Sequence, residues 1–272
     1  MNPDVLLDSF STDAPLPSPW NTFTKGDGAL VANGDTLRMV NTDTVSTRYT
    51  DAQLDDYQGL ARCDFLWRPP LQMTVRARFS HPAGALRGTA GFGFWNDPFL
   101  MTGFRRPALP RVVWFFYSSP PSDMKLALNV PGCGWKAGTL DALRWPFFAL
   151  LPAAPIAIPL MNIGALYQTL WPMGQRAINV SEALVPAEMT DWHTYVLVWH
   201  KQTVRFSVAG QTFLTCQTSP RGPLGFVMWL DNQYMIVTPG GRFGYGLLES
   251  PGEQWLEISS LEIRTDILPS YG

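Results

Sequence analysis

The C-terminal third of the sequence is built from short alternating segments separated by turn residues, and no other feature constrains the fold as much. Residues 192–199 and 204–208 read as two strands joined by a turn at 201–203, and further strands follow at 225–231 and 256–263. Alternation with a period of two places one face of each strand against a core. Several short strands divided by tight turns are typical of an antiparallel sandwich. The sequence therefore predicts an all-β fold.

The same pattern occupies the N-terminal half of the chain. Residues 29–31 and 36–40 flank an Asn33-Gly34 pair, which is a strong signal for a two-residue hairpin turn. In residues 71–80, apolar and polar side chains alternate strictly, as they do in a half-buried antiparallel strand. Strands are therefore predicted on both sides of the middle of the chain.

One apolar segment interrupts these strands. We expect residues 1–272 to form a single domain in which residues 119–185 are an apolar, proline-rich helical insertion. From 145 to 175 no residue is charged, which is long enough to cross a bilayer, but prolines would break a spanning helix at Pro146, Pro152, Pro155, Pro159 and Pro172. We predict short helices near 140–151 and 160–170 instead. Three placements are open for them: packed on the sandwich, closed as a lid over a ligand groove, or dipping into a membrane.

Composition and charge argue against several partners. The formal net charge of -2 gives no electrostatic basis for binding nucleic acid or an anionic membrane. The three cysteines form no Cys-x-x-Cys pair, which is typical of reduced thiols rather than a disulfide framework. Residues 1–12 show no signal-peptide pattern, so we expect a cytoplasmic protein. The histidines have no metal-ligand spacing, and we expect neither a metal nor a cofactor.

Three spaced motifs carry a family resemblance: Trp192-x-x-Tyr195-x-x-x-Trp199, Phe206-x-Val208-x-Gly210 and the pair Met228-Trp229. Together they resemble the concanavalin A-like lectin and glucanase superfamily, nearest to the domains of family 16 glycoside hydrolases. The resemblance covers residues 20–118 and 190–264. It implies a two-sheet antiparallel jelly-roll sandwich whose concave sheet forms a sugar-binding groove.

The chain departs from this family at the catalytic motif. Family 16 enzymes carry Glu-x-Asp-x-Glu on one concave strand, and a retaining mechanism needs two carboxyl groups about 5–5.5 Å apart. The corresponding strand here is residues 112–118, which has no carboxylate on either face. The family's usual Asp in a Val-Asp-Gly turn is replaced by Ala209. We therefore expect no family 16 hydrolysis at this position.

Alternation assigns a small residue, a Trp and an Asp to the same outer face of two strands. The outer residues are Gly91, Gly93, Trp95 and Asp97 in one strand, and Gly225, Val227, Trp229 and Asp231 in the other. An indole beside glycines suits the apolar face of a sugar ring, and carboxylates accept hydrogen bonds from its hydroxyls. The candidate ligand-binding residues are Trp95, Asp97, Trp229, Asp231, Asn232 and Tyr234. Alternatively, the two Trp residues pack in a core and the Asp residues form turns.

Three functional hypotheses follow, and whether the chain is an enzyme stays open. The first is a lectin-like protein that binds carbohydrate in the Trp-lined groove, and we adopt it. The second is an enzyme of glycoside hydrolase or lyase type with a relocated site that uses Asp97, Asp231 or Asp123 as acid or base. The third is a protein that binds or processes an apolar small molecule in a pocket walled by residues 143–173. Membrane contact through that segment is the least favoured placement.

Overall fold

The protein is an antiparallel β-sandwich. The computed structural model describes residues 4–7, 10, 16–98 and 106–265 of the chain. Within them, two large sheets of eight and seven strands pack face to face, and a two-stranded hairpin lies beside them. This confirms the predicted all-β, two-sheet architecture.

The eight-stranded sheet holds the strands that the C-terminal pattern predicted, together with the N-terminal hairpin. Its strands are β1 (Val5–Leu7), β3 (Gly28–Asn33), β4 (Thr36–Thr44), β6 (Leu71–Phe79), β11 (His193–Trp199), β12 (Val204–Val208), β13 (Gln211–Cys216) and β17 (Ser250–Arg264). They follow the spatial order β13-β12-β11-β6-β17-β4-β3, and β1 pairs with β17.

The seven-stranded sheet carries Trp95, Trp229 and Asp231, half of the candidate ligand-binding residues of the sequence analysis. Its strands are β2 (Asn21–Lys25), β5 (Asp51–Asp55), β7 (Thr89–Trp95), β8 (Arg111–Ser118), β9 (Gly134–Asp141), β10 (Ser181–Leu184) and β14 (Gly225–Asp231). The order is β10-β9-β8-β7-β14-β5-β2, so β7 lies between β8 and β14 at the centre of the sheet.

The core lies between the two sheets and is rich in aromatic rings. Phe92 of β7 contacts Tyr195 of β11 with ring centroids 5.3 Å apart, and Phe115 of β8 contacts Phe206 of β12 at the same distance. These edge-to-face contacts each add about 0.5–1.5 kcal/mol beyond the buried area. In β6, the apolar residues that alternation assigned to the core are buried, from Leu71 to Phe79. In β7 and β8, the residues that alternate with Phe92 and Phe115 point away from the core.

Three helices connect β9 to β10: α1 (Trp145–Leu150), α2 (Ala154–Leu160) and α3 (Gly164–Ala177). The prediction of two helices missed α2, because it treated the prolines of this segment as helix breakers. Pro155 occupies one of the first two positions of α2, where the missing N–H of proline would have had no intrahelical partner. The helical part is narrower than residues 119–185, since β9 and β10 belong to the sheet. Within the described residues, no helix has both the length and the apolar character that crossing a bilayer requires.

A hairpin borders the outer face of the seven-stranded sheet. It consists of β15 (Gln233–Val237) and β16 (Phe243–Leu247) and directly follows β14. Asp123 holds it in place, because its N–H donates to the carbonyl of Met235 (3.0 Å) and its own carbonyl accepts from the N–H of Val237 (3.0 Å). The hairpin and the segment around Asp123 therefore form one wall above the central strands.

Candidate functional site

A cavity of about 180 Å³ lies on the outer face of the seven-stranded sheet. Its floor comes from β7, β8 and β14, and its walls come from the hairpin, from residues 124–126 and from β9. The lining residues are Gln53, Thr89, Trp95, Pro110, Val112, Trp114, Phe116, Met124, Leu126, Leu140, Trp229, Asp231, Gln233, Tyr234, Met235 and Val237. Four of the six predicted ligand-binding residues are in this set: Trp95, Trp229, Asp231 and Tyr234.

Three tryptophans form the floor of the cavity. The rings of Trp95 and Trp229 are almost parallel, at 4°, with centroids 6.3 Å apart. Trp114 contacts both, with centroid distances of 6.2 Å to Trp95 and 5.4 Å to Trp229. Glycines make room for them, because a Cβ atom at Gly91 would lie 3.0 Å from Cη2 of Trp229 and one at Gly93 would lie 2.6 Å from Cβ of Trp114. The glycines of β7 are therefore part of the site.

Trp95 and Trp229 are packed more tightly than an open stacking platform. Each is 7% exposed. Their indole N–H groups are also used internally, since Trp95 donates to the hydroxyl of Tyr57 and Trp229 to Oγ1 of Thr89, both at 2.9 Å. Trp114 is only half-buried, so it offers a ligand more ring surface than either of them. Sequence reasoning missed Trp114 because it considered that strand only for carboxylates.

The cavity-facing positions of β8 are apolar. Val112, Trp114 and Phe116 line the cavity, whereas Val113 and Phe115 lie in the core between the sheets. β8 follows β7 in the chain and pairs with it antiparallel, and it is the strand that the resemblance implied for the catalytic motif. The positions from which carboxylates would reach a bound sugar are therefore occupied by hydrocarbon.

Asp231 borders the cavity and faces a second buried carboxyl group. It pairs in register with Asp51 of the neighbouring strand β5. Oδ1 of Asp231 accepts from Oγ1 of Thr89 (2.7 Å) and from the N–H of Gln233 (3.0 Å). Among the described residues, neither carboxyl oxygen of Asp51 has a hydrogen-bond partner of standard geometry, although the hydroxyl of Tyr49 is close enough to interact with it.

Burial dominates the electrostatics of this pair. Removal from water raises the pKa of Asp51 well above its usual range, and the charge of Asp231 raises it further. Burial also raises the pKa of Asp231, while hydrogen bonds from Thr89 and Gln233 work in the opposite direction. Two carboxyl groups on paired residues cannot both ionise cheaply, so the pair retains a proton at a pH where an exposed Asp would lose it. Sequence reasoning missed Asp51, although the alternating polar run Asp51-x-Gln53-x-Asp55 was a signal.

Two predicted site residues lie outside the cavity. Asp97 follows the end of β7 with a positive φ of 44° and is fully buried, and its main-chain carbonyl accepts from Nη2 of Arg62 (2.6 Å). The side chain of Asn232 clamps a loop, because its Oδ1 accepts from the N–H of Thr50 (2.9 Å) and its Nδ2 donates to the carbonyl of Arg48 (3.0 Å). Asn232 therefore has a structural role in the loop between β4 and β5.

Asp123, the third candidate acid or base, is also outside the cavity. Its carboxylate pairs with Nη1 of Arg242 at 3.2 Å. A buried ion pair that the sequence did not reveal lies beside the cavity: Nζ of Lys136 contacts Oε2 of Glu182 at 3.1 Å. Both residues line a smaller cavity of about 50 Å³ that shares Trp114 and Phe116 with the larger one. The site therefore has an acidic end, formed by Asp51 and Asp231, and an opposite-charge ion pair, Lys136 with Glu182, in the adjoining cavity.

The described parts of the chain hold no group of three Cys, His, Asp or Glu side chains placed to bind a metal ion. Cys63, Cys133 and Cys216 are free thiols.

Comparison with known proteins identifies the fold. No protein-family model matches the sequence, and no curated protein matches it. Among solved structures, a Bacillus licheniformis β-glucanase matches with a TM-score of 0.50 and 8% identity, over 96% of this chain and 98% of that one. A transglycosylase in complex with NAG matches with a TM-score of 0.52 and 11% identity, over 97% of this chain and 84% of that one.

A third match is the GlcNAcα1-4Gal-releasing endo-β-galactosidase from Clostridium perfringens, with a TM-score of 0.50 and 11% identity over 95% of this chain. The chain spans 61% of the length of that enzyme. At these identities the likeness concerns the fold alone. The protein therefore shares the concanavalin A-like sandwich fold of these solved structures, the fold that its sequence motifs predicted.

Proposed function

We propose that the protein binds a carbohydrate-containing ligand in the cavity on the outer face of the seven-stranded sheet, without family 16 hydrolysis. The observation that carries this proposal is the arrangement of Trp114, Trp95 and Trp229 beside Asp231. Indoles pack against the C–H face of a sugar ring, and a carboxylate accepts hydrogen bonds from its hydroxyls. The fold supports the assignment, since its solved neighbours include a β-glucanase and a transglycosylase.

The composition of the cavity narrows the ligand further. Eleven of the sixteen lining residues are apolar. A polar group buried against such walls without a hydrogen bond costs roughly 2–7 kcal/mol, so a ring with hydroxyls on every side fits poorly. A sugar that carries an apolar substituent fits better, with its ring on the indoles and its substituent against Met124, Leu126 and Leu140. The volume of about 180 Å³ is below the roughly 300–1,000 Å³ of most ligand pockets, which favours one sugar ring over a chain.

Titration calorimetry with matched ligands tests this proposal. Aryl and alkyl monoglycosides should bind more tightly than the free sugar or the free aglycone. Trp114→Ala should weaken binding about tenfold or more, as expected for an aromatic hot spot. Trp145→Ala, on helix α1 and 78% exposed, is the matched control and should change nothing. Binding of the aglycone alone with equal affinity would establish an apolar-ligand protein instead. Equal effects of the two variants would refute the site.

A second candidate function is acid–base catalysis by Asp51 and Asp231. The observation that favours it is the buried pair itself, in which one member borders the cavity and the other has no hydrogen-bond partner of standard geometry among the described residues. Two carboxyl groups that share a proton can supply an acid and a base at one site. In this role Asp231 would contact the ligand and Asp51 would hold the shared proton.

Kinetics separate the catalytic candidate from simple binding. Incubation with nitrophenyl glycosides should release nitrophenol if the pair is catalytic. Asp231→Asn and Asp51→Asn should then both abolish release while leaving calorimetric binding within about threefold. No release by the wild-type protein, with binding intact, would leave the binding function as the whole role of the cavity.

A further inference from the structure

The helices between β9 and β10 expose an apolar surface. Within the described helices α1 and α2 no residue is buried, and Ala177 is the one buried residue of α3. Trp145 is 78% exposed and Ile156 is 70% exposed. Further large apolar side chains on these helices and on the short segments that join them are exposed as well: Phe148, Leu151, Ile158, Leu160, Ile163 and Met173. A helix on a water-facing surface normally turns its apolar stripe inward, so this arrangement requires an explanation.

The turn between β15 and β16 extends this surface. Nδ2 of Asn162, which lies between α2 and α3, donates to the carbonyl of Gly240 at 2.9 Å. A Cβ atom at Gly241 would lie 2.7 Å from Cγ2 of Ile158, so the turn packs directly on α2. Phe243 follows this turn and is 78% exposed. We call the exposed apolar side chains of α1, α2, α3 and Phe243 the apolar platform.

The helical segment of the apolar platform carries charge of one sign only. No residue from 145 to 175 is charged, and no acidic residue occurs from 142 to 181. Arg144 immediately precedes α1, and Arg176 lies in the last turn of α3. The formal charge of the whole chain, -2, therefore does not describe this surface. Exposed Trp, Phe and Ile side chains bracketed by Arg are typical of segments that lie in a membrane interface.

We propose that the apolar platform inserts into the interfacial layer of a lipid bilayer and holds the protein on a membrane surface. This membrane attachment does not depend on the ligand proposed for the cavity. α1 and α2 have only six and seven residues, so many of their backbone N–H and C=O groups have no partner within the helix. In the interfacial layer these groups can bond to water and lipid headgroups while the apolar side chains enter the acyl boundary. Prolines divide the segment, and the fourteen residues of α3 span only about 21 Å, short of the roughly 30 Å hydrocarbon core. The platform therefore lies in the interface.

A second copy of the chain fits the platform less well than lipid does. In a two-fold dimer the same patch faces itself, which brings Arg144 and Arg176 of both copies into one interface. The segment supplies no acidic residue to pair with them. Anionic lipid headgroups supply that charge, and the bilayer interior accommodates Trp145, Ile156 and Phe243. Charge complementarity therefore favours a membrane.

Flotation with lipid vesicles tests this proposal on the full chain. The wild type should float with phosphatidylcholine vesicles and bind more tightly when roughly 30 mol% phosphatidylserine is present. The triple variant Trp145→Ser, Ile156→Ser, Phe243→Ser should lose about tenfold or more in partitioning. The matched control, Val31→Ser with Val45→Ser, removes two exposed apolar side chains that lie outside the platform, in β3 and directly after β4, and should float like the wild type.

Three outcomes would overturn the proposal. One is a wild type that stays unbound to both kinds of vesicle. Another is equal loss of flotation in the platform and control variants, with unchanged melting temperatures. The third is a concentration-dependent dimer in sedimentation that the platform variant abolishes, because the surface would then be covered by a second copy.

Discussion

Asp51 and Asp231 lie opposite each other on the paired strands β5 and β14, and both are almost completely buried. They are far apart in the sequence, so only the antiparallel register brings them together. Burial raises the pKa values of both carboxyl groups, and the charge of Asp231 raises the pKa of Asp51 further. The folded protein therefore binds protons that the unfolded chain has already released, and this difference makes stability depend on pH.

The stability of the protein should fall as the pH rises above about 4, where an unfolded Asp ionises. The contribution of Asp51 is fully present below that pH and is lost as the pH rises through the folded pKa. Asp51→Asn removes the buried charge and should raise the free energy of unfolding at pH 8 by roughly 1–3 kcal/mol, with little change at pH 4. Urea denaturation across this range measures the difference. Asp35→Asn, on an exposed turn, is the control and should follow the wild type.

Glu257 should show the opposite pH dependence. Burial acts to raise its pKa, but hydrogen bonds from Thr36, Asn33, Arg38 and Arg78 outweigh it and bring the pKa to about 2. This stabilisation is complete above the unfolded pKa of about 4.3 and is lost as the pH falls through the folded value.

Replacing this carboxylate tests that contribution. Glu257→Gln should destabilise the fold by roughly 1–3 kcal/mol at pH 7, and the difference from wild type should shrink toward pH 2–3. Glu253→Gln, at an exposed position of the same strand, is the control. A loss that is constant from pH 7 to pH 3 would show that the residue acts through shape rather than charge.

Local patterns and long-range register differ in what they predict. Alternation correctly assigned Phe92 and Phe94 to the core, because a strand has only two faces and each has a distinct composition. It could not find Asp51, since the importance of this residue depends on the pairing of β5 with β14. It also overestimated the exposure of Trp95, because a third indole, Trp114, covers it from the neighbouring strand. The exposure of a groove residue depends on its neighbours in adjacent strands, and the sequence alone does not show which residues these are.

Gly93 should be among the least tolerant positions of the site. A Cβ atom there would lie 2.4 Å from the carbonyl oxygen of Val113 and 2.6 Å from Cβ of Trp114, and the backbone has a φ of 151°. Gly93→Ala should therefore cost roughly 1–3 kcal/mol through overpacking and strain. Gly164→Ala, where the new Cβ would meet no described atom within 4 Å, should leave the melting temperature unchanged or slightly raised. Equal melting temperatures for the two variants would contradict the packing described for the tryptophan floor.

Laminarin, lichenan and agarose should release no reducing ends above a blank when incubated with the protein. The reason is that Val112, Trp114 and Phe116 occupy the positions of β8 that face the cavity, so β8 provides neither nucleophile nor general acid. Reducing-end assays at several pH values measure this. Turnover that disappears in Asp231→Asn would contradict the expectation and establish the relocated acid–base site.

The last prediction concerns the double role of Trp95 and Trp229. Both line the cavity, yet each is 7% exposed and stacked on the other, so each also belongs to the packed interior. Either Trp→Ala change should therefore destabilise the fold by roughly 3–5 kcal/mol, as for a large core side chain. Trp114→Ala should lower the free energy of unfolding by less, because that indole is half-buried. Relative to this smaller loss of stability, its effect on ligand affinity should be larger than that of the other two changes. Thermal melting beside calorimetry separates the two effects. If Trp95→Ala and Trp229→Ala melt like the wild type, the indoles form an open platform and the packing argument is wrong.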